Sequence, residues 1–270
     1  MRSALQSLII VALLFSAVYF LETAYDRGLR DSLFFDGWIL VAGFAAQLLL
    51  HVKKRKPDAL RGSELAWRRF HIASGFFVIL VFALHTRLSL PDTAFEWSIW
   101  ILFVVVAVSG VAGSILIRAI PSRLERVGER LEPDQLAAAA ADLSKQASQT
   151  AMDSARLGGT LALSDLYAST LNGHFRAPKN GLAHLKGSRR PLQRLLFEID
   201  NLRTHFEREG YDTLEQMKEL VEKKDRIDFQ YAHERVLVAW LAVHLPATYA
   251  LVLLSILHVG SVYAFRSGVA

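Results

Sequence analysis

Five long apolar blocks alternate with polar segments along the chain. They cover residues 4–21, 34–52, 70–90, 97–117 and 236–265. A helix crosses the hydrocarbon core of a bilayer with roughly 20 apolar residues, so each block is long enough to be a transmembrane helix. The first block has one leading charge, Arg2, and no small-residue cleavage pattern before Glu22. We therefore expect it to be a retained span rather than a signal peptide.

The basic residues of the connecting loops predict the orientation of these helices. Short loops rich in Lys and Arg stay in the cytoplasm. The loop after the second block is strongly basic, whereas the loop after the first carries only Arg27 and Arg30 and the loop after the third only Arg87. We therefore expect the N-terminus and residues 119–235 to be cytoplasmic and the C-terminus periplasmic, in a bacterial inner membrane. The basic residues of the loop after the second block are Lys53, Lys54, Arg55, Lys56, Arg61, Arg68 and Arg69.

Residues 119–235 form a polar segment between the fourth and fifth apolar blocks. Its pattern predicts helices over 132–157 and 191–210, a loop over 172–188, and a helix from about residue 212 that continues into the fifth block. The segment contains no phosphate-binding loop, dinucleotide motif or acidic metal cluster. We therefore expect a helical insertion used for docking.

Composition narrows the function classes. Of the 270 residues, 52% are hydrophobic, and the mean hydropathy is +0.27, which excludes a disordered chain. The absence of cysteine excludes disulfides, iron–sulfur clusters and a thiol nucleophile. The net charge of +5 is explained by the basic loops, so we expect membrane lipid and no nucleic acid as a partner. The prediction is an all-α integral membrane protein divided into 1–118, 119–235 and 236–270.

Four histidines inside the apolar blocks carry the candidate chemistry. His71 and His85 lie in the third block, and His244 and His258 lie in the fifth, 14 residues apart in each case. Fourteen residues make almost four helical turns, so both imidazoles of a pair share one face, about 21 Å apart. The two helices run parallel because one span separates them. His71 is therefore expected to face His244 near the cytoplasm, and His85 to face His258 near the outer side.

Two facing imidazoles form the axial ligand set of a b-type haem. The spacing thus predicts two stacked haem sites. Two alternatives remain open. The histidines can simply hydrogen-bond to neighbouring helices. They could also bind zinc, but zinc needs ligands that converge within one layer, and these histidines fall in two layers. The matched spacing in two parallel helices favours haem.

Further residues could support these sites. Glycines and serines in the spans could clear a porphyrin face, although small residues also serve ordinary helix packing. Arginines near the membrane edges could pair with haem propionates or simply snorkel to the interface. The small residues are Gly43, Ser109, Gly110, Gly113 and Ser114, and the arginines are Arg68, Arg69, Arg87, Arg118 and Arg266.

His51 ends the second block beside the basic cluster. It could bind a quinone carbonyl or a propionate, replace an axial ligand, or be a plain interfacial histidine. Outer carboxylates are the alternative quinone partners, namely Asp31, Asp36, Asp92 and Glu96. The remaining histidines share no ligand spacing and are expected at the surface: His174, His184, His205 and His233.

The stretch from Arg69-Phe70-His71 through Ser74-Gly75 to His85, with His244 and His258, resembles the dihaem membrane cytochromes b. Similar families are the ferric reductase and NADPH oxidase transmembrane domain and the cytochrome b subunits of hydrogenases and formate dehydrogenases. The resemblance covers residues 34–118 and 236–265. It implies a four-helix core, two bis-histidine haems b and transmembrane electron transfer. The insertion at 119–235 departs from the family pattern.

The leading functional hypothesis is an electron-transfer subunit of a quinone-linked oxidoreductase rather than a self-sufficient enzyme. It would carry electrons between the quinone pool and a redox partner, such as a periplasmic cytochrome or a dehydrogenase subunit. The second hypothesis is a membrane sensor or receptor, with or without haem, that signals through the cytoplasmic segment. A transporter is the third, but it would need acidic residues within the spans, where only Asp36 lies at an edge.

Overall fold

The structure is a computed structural model that describes residues 2–27, 32–125, 131–157 and 161–266. Of the residues named above, Arg30, Asp31 and the side chains of Arg2 and Arg266 lie outside this description.

Regular structure in the described residues is entirely helical. Single turns of 3₁₀-helix lie at Pro57–Ala59, Asn201–His205 and Arg208–Gly210, and a π-helical turn lies at Tyr167–Leu171. The α-helices are α1 (Arg2–Arg27), α2 (Ser32–Arg55), α3 (Glu64–His85), α4 (Ala94–Glu125), α5 (Gln135–Leu157), α6 (Ala162–Leu166), α7 (Asn172–Arg176), α8 (Gly181–Leu185), α9 (Arg190–Asp200) and α10 (Tyr211–Arg266).

Five of these helices, α1 to α4 and α10, are long and apolar enough to cross a membrane. The prediction of five spans is thereby confirmed at the level of helix length and composition. Large apolar side chains on them are well exposed, such as Leu8 (68%), Phe20 (72%) and Ile256 (63%). An exposed apolar surface of this kind suits contact with lipid.

The chain divides into two compact units. The first comprises Met1–Ser114 with Trp240–Ala270, and the second comprises Ile115–Ala239. In the first unit, α1 and α2 pack closely against α3. Larger side chains bridge α3 to α4, where the rings of Phe82 and Phe103 stack with centroids 3.6 Å apart. Val81 is completely buried at the centre of this unit.

The second unit packs α5, α9 and the first part of α10 around an apolar core. Ala147, Ile199, Leu214, Met217 and Val221 are completely buried there. Helix α9 presents an apolar side to this core because its leucines recur with helical spacing.

The predicted elements of this segment are confirmed in part. The helix expected over 132–157 is α5, and the helix expected from about 212 is α10, which continues into the fifth apolar block without a break. The helix expected over 191–210 ends earlier, at Asp200, and gives way to 3₁₀ turns. The expected loop over 172–188 contains the short helices α7 and α8, because buried apolar side chains such as Phe175 hold it against the core.

Candidate functional site: two cavities with paired histidines

Each histidine pair expected from the sequence lines one cavity of the first unit. His71 and His244 line a cavity of about 100 Å³, here called the His71/His244 cavity. His85 and His258 line a separate cavity of about 370 Å³, here called the His85/His258 cavity. The structure therefore brings together the residues of α3 and α10 that the 14-residue spacing matched.

The first ligand candidate, His71, is held by the backbone of α2. Its Nδ1 lies 3.3 Å from the carbonyl oxygen of Gln47. A carbonyl oxygen only accepts hydrogen bonds, so Nδ1 carries the proton and Nε2 is left with a lone pair. The Gln47 amide in turn donates to the hydroxyl of Ser74 at 2.8 Å and to the carbonyl of His71 at 3.3 Å. Helices α2 and α3 are thus cross-linked at the level of His71.

The opposite candidate, His244, contacts α4. Its Nδ1 lies 2.8 Å from the hydroxyl oxygen of Ser109, and that hydroxyl donates to the carbonyl of Val106 at 3.0 Å. The indole of Trp240, one turn earlier on α10, stacks on the His244 ring with centroids 5.4 Å apart. The same indole donates its N–H to the carbonyl of Ser109 at 2.8 Å.

The walls of the His71/His244 cavity are mainly apolar. Gly75 and Gly110 line it, and a methyl group at Gly110 would lie 3.6 Å from Cε1 of His244. The cavity is smaller than the roughly 300–1,000 Å³ typical of cofactor and ligand pockets. A macrocycle would therefore need the lining side chains to move apart.

The other two glycines expected at a porphyrin face have packing roles. Gly113 makes room for the indole of Trp240, with which any added Cβ would clash, and it does not line the His71/His244 cavity. Gly43 allows close approach of α3, because a Cβ there would lie 2.6 Å from a methyl of Val78.

The His85/His258 cavity is lined by both apolar and polar side chains. Gly37 lies beside His85, since an added methyl group would be 3.5 Å from its Cε1. His258 is stacked against Phe95, with ring centroids 6.3 Å apart. The volume of this cavity falls within the range of cofactor sites. Besides the two histidines, its polar lining residues include Thr86, Arg87, Ser89, Asp92, Glu96, Ser255 and Tyr263.

The turn that follows His85 has an unusual backbone. Arg87 and Leu88, immediately after α3, adopt φ values of +52° and +57°. Non-glycine residues rarely occupy this left-handed region. The turn directly follows α3, and its Arg87 lies in the cavity lining. Glu96 accepts from the backbone N–H groups of Asp92 and Thr93 at 3.3 Å and so caps the start of α4.

The remaining site candidates lie outside the cavity linings. Arg69 is exposed, and Arg68 pairs with Glu64 at 3.0 Å. A hydrogen bond of 3.3 Å joins Nε2 of His51 to the hydroxyl of Tyr249. Tyr249 was not identified from the sequence, because its contact with His51 depends on the packing of α10 against α2.

The second unit contains a buried polar cluster that the sequence did not reveal. His174, His184 and His233 are 3%, 5% and 1% exposed, so the expectation that they lie at the surface is wrong, and only His205 is exposed. Lys224 and Asp228 are also buried and form an ion pair at 2.6 Å. Their i, i+4 spacing on α10 was the available sequence signal.

Burial controls the protonation of this cluster. Desolvation, with smaller contributions from Lys224 and Lys179, lowers the pKa of His174 to about 4. Desolvation also lowers the pKa of His184 and raises the pKa of Asp225 and Asp228. His184 lies 3.6 Å from Asp225 at a cavity of about 310 Å³. In the part of the chain that the structure describes, no group of three or more His, Asp or Glu side chains is arranged to hold a metal ion directly.

Comparison with known proteins adds no relative. No family model, curated protein or solved structure matches this chain. The function must therefore be argued from the donors and cavities themselves.

Proposed function

We propose that the chain is a membrane-bound dihaem cytochrome b subunit that carries electrons between the quinone pool and a redox partner protein. The observation that carries this proposal is the pairing of histidines. Each of two cavities in the apolar unit is lined by one histidine from α3 and one from α10. Ionisable side chains are costly within a bilayer and usually serve a function there.

The donor set suits a b-type haem. His71 and His244 would hold one group, and His85 and His258 the other. The contacts of His71 and His244 through Nδ1 leave Nε2 as the ligand nitrogen, which is how metal-bound histidines are normally oriented. An iron held by the two imidazoles of a pair would supply one-electron redox chemistry. Arg87 lines the His85/His258 cavity and would pair with a propionate.

Quinone exchange is proposed at His51 and Tyr249. The phenol is 48% exposed on an apolar helix, so a lipid-soluble carrier can reach it from the bilayer. The imidazole beside it can pass a proton to or from a bound quinone. Among the outer carboxylates, Glu96 already caps α4, and Asp36 is fully buried. These observations favour His51 over Glu96 and Asp36.

The loop charges support placing the chain in a bacterial inner membrane with residues 119–235 in the cytoplasm. The second unit would then be the docking element for redox subunits. Its buried core makes it a folded unit in its own right rather than a linker.

Paired substitutions test the proposal. His71→Ala and His244→Ala should remove the same haem component, and His85→Ala and His258→Ala should remove the other, as followed by optical redox titration. His205→Ala, an exposed histidine of the second unit, is the matched control and should keep both components. If the His71 and His244 variants lose different components, the proposed pairing is wrong.

A further inference from the structure

His244 is held from two sides by residues of α4 and α10. We propose that Ser109 and Trp240 are positioning residues that fix the tautomer and the ring plane of His244, so that Nε2 is the nitrogen presented to a metal centre. This inference rests on the proposed function, because the metal centre is the haem assigned above to His71 and His244.

The direction of the hydrogen bonds sets the tautomer. The Ser109 hydroxyl lies 3.0 Å from the carbonyl oxygen of Val106, to which it can only donate. The same hydroxyl lies 2.8 Å from Nδ1 of His244. Because the hydroxyl has a single hydrogen, it makes both bonds at once only when it donates to Val106 and accepts from a protonated Nδ1. Nε2 keeps its lone pair, which is the form that ligates a metal.

Trp240 fixes the orientation of the ring. Its indole lies nearly parallel to the His244 imidazole, at an interplanar angle of 25°. The indole is itself anchored, because its N–H donates to the carbonyl of Ser109 at 2.8 Å. Gly113, one turn after Ser109, leaves the space that the indole fills. Ser109 therefore contacts both rings, one through its hydroxyl and one through its carbonyl.

The two ligands of this cavity are held differently. His71 donates to a backbone carbonyl, that of Gln47, which no side-chain substitution removes. His244 depends on a side-chain hydroxyl, which Ser109→Ala deletes. Replacing the hydrogen-bond partner of a metal-bound histidine commonly lowers metal affinity by about 10- to 100-fold. We expect a loss of that size in haem affinity for Ser109→Ala, with a rise in midpoint potential because the imidazole becomes a weaker donor.

The tautomer can be measured on the full chain without haem. Histidine labelled with ¹⁵N should show His244 protonated at Nδ1 in the parent protein and a mixture of tautomers in Ser109→Ala. Ser109→Thr keeps the hydroxyl and should restore the Nδ1–H form. Ser98→Ala is the matched control, since Ser98 lies on the same helix, bonds to the carbonyl of Ala94 at 2.9 Å and is exposed. An unchanged His244 tautomer in Ser109→Ala would overturn the inference.

Haem titration then separates the two proposals. Gly113→Ala should displace the Trp240 indole and weaken haem binding as Ser109→Ala does, whereas Gly260→Ala, where an added methyl group meets open space, should bind normally. If neither the parent nor any variant binds haem but the tautomer shifts as expected, the proposed function fails while the positioning role stands. If the parent binds two haems and Ser109→Ala binds them with equal affinity and potential, the positioning role fails.

Discussion

Acidification should selectively loosen the second unit through His174. This side chain is 3% exposed, and its pKa is lowered to about 4 from an ordinary value of 6.5. The unfolded chain therefore binds a proton at a pH where the folded chain does not. Stability from the neutral imidazole is complete above pH 6.5 and is lost as the pH falls from 6.5 towards 4.

The size of the effect follows from the two pKa values. A shift of one unit corresponds to about 1.4 kcal/mol, so the full loss approaches about 3 kcal/mol, and roughly 2 kcal/mol of it is gone at pH 5. The buried carboxyls act in the opposite sense. Burial raises the pKa of Asp225 and Asp228, so their protonation favours the folded chain as the pH falls. A comparison of variants is therefore needed to isolate His174.

His174→Gln supplies that comparison because glutamine does not titrate. Hydrogen exchange of the α5 amides in the full chain should show protection that falls from pH 7 to pH 5 in the parent. In the variant, the factor by which protection falls over the same pH range should be roughly 30-fold smaller than in the parent. Comparison at each pH cancels the intrinsic pH dependence of exchange. His205→Gln, at an exposed position, should behave like the parent. Parallel loss of protection in the parent and His174→Gln would refute the reasoning.

Two further predictions concern the buried ion pair and the quinone site. Lys224→Met leaves Asp228 buried without its ion-pair partner and should destabilise the second unit by about 3–5 kcal/mol, as measured by hydrogen exchange. The control Lys223→Met breaks an exposed ion pair and should destabilise the unit by at most about 1 kcal/mol. His51→Phe and Tyr249→Phe should each slow haem reduction by a soluble quinol analogue without changing the haem spectra, and unaltered rates in both would move the search to the outer carboxylates.

The spans and the histidine pairing were predictable because a bilayer imposes a simple pattern. Length and hydropathy alone locate five helices, and the 3.6-residue period places His71 with His85 and His244 with His258 on single faces. Both properties are local in the sequence. The pairing across α3 and α10 also required these helices to be parallel neighbours, and the number of intervening spans gives only their direction.

The contacts around His244 were less accessible because they depend on packing between α4 and α10. Gly113 looked like a residue that clears a porphyrin face, but the space belongs to Trp240. Sequence spacing gives the helical face of a glycine but not the side chain that fills the space beside it.

The buried histidines of the second unit were missed for a similar reason. His174 and His184 lie on one-turn helices, which are too short to show a helical period. Their burial results from contacts with α10, far along the chain, as the bond of the Lys179 backbone N–H to Asp228 illustrates. Polar residues are mostly exposed, so their burial had to come from the tertiary structure.

The central claim is that the apolar unit binds two bis-histidine haems. The most direct test is a reduced-minus-oxidised spectrum of the purified full chain, combined with haem and protein quantitation. Two b-type haems per chain, with the low-spin spectrum of two axial imidazoles, are expected. A chain that is folded, as judged by its helical content, but carries no haem and takes up none on titration would contradict the claim.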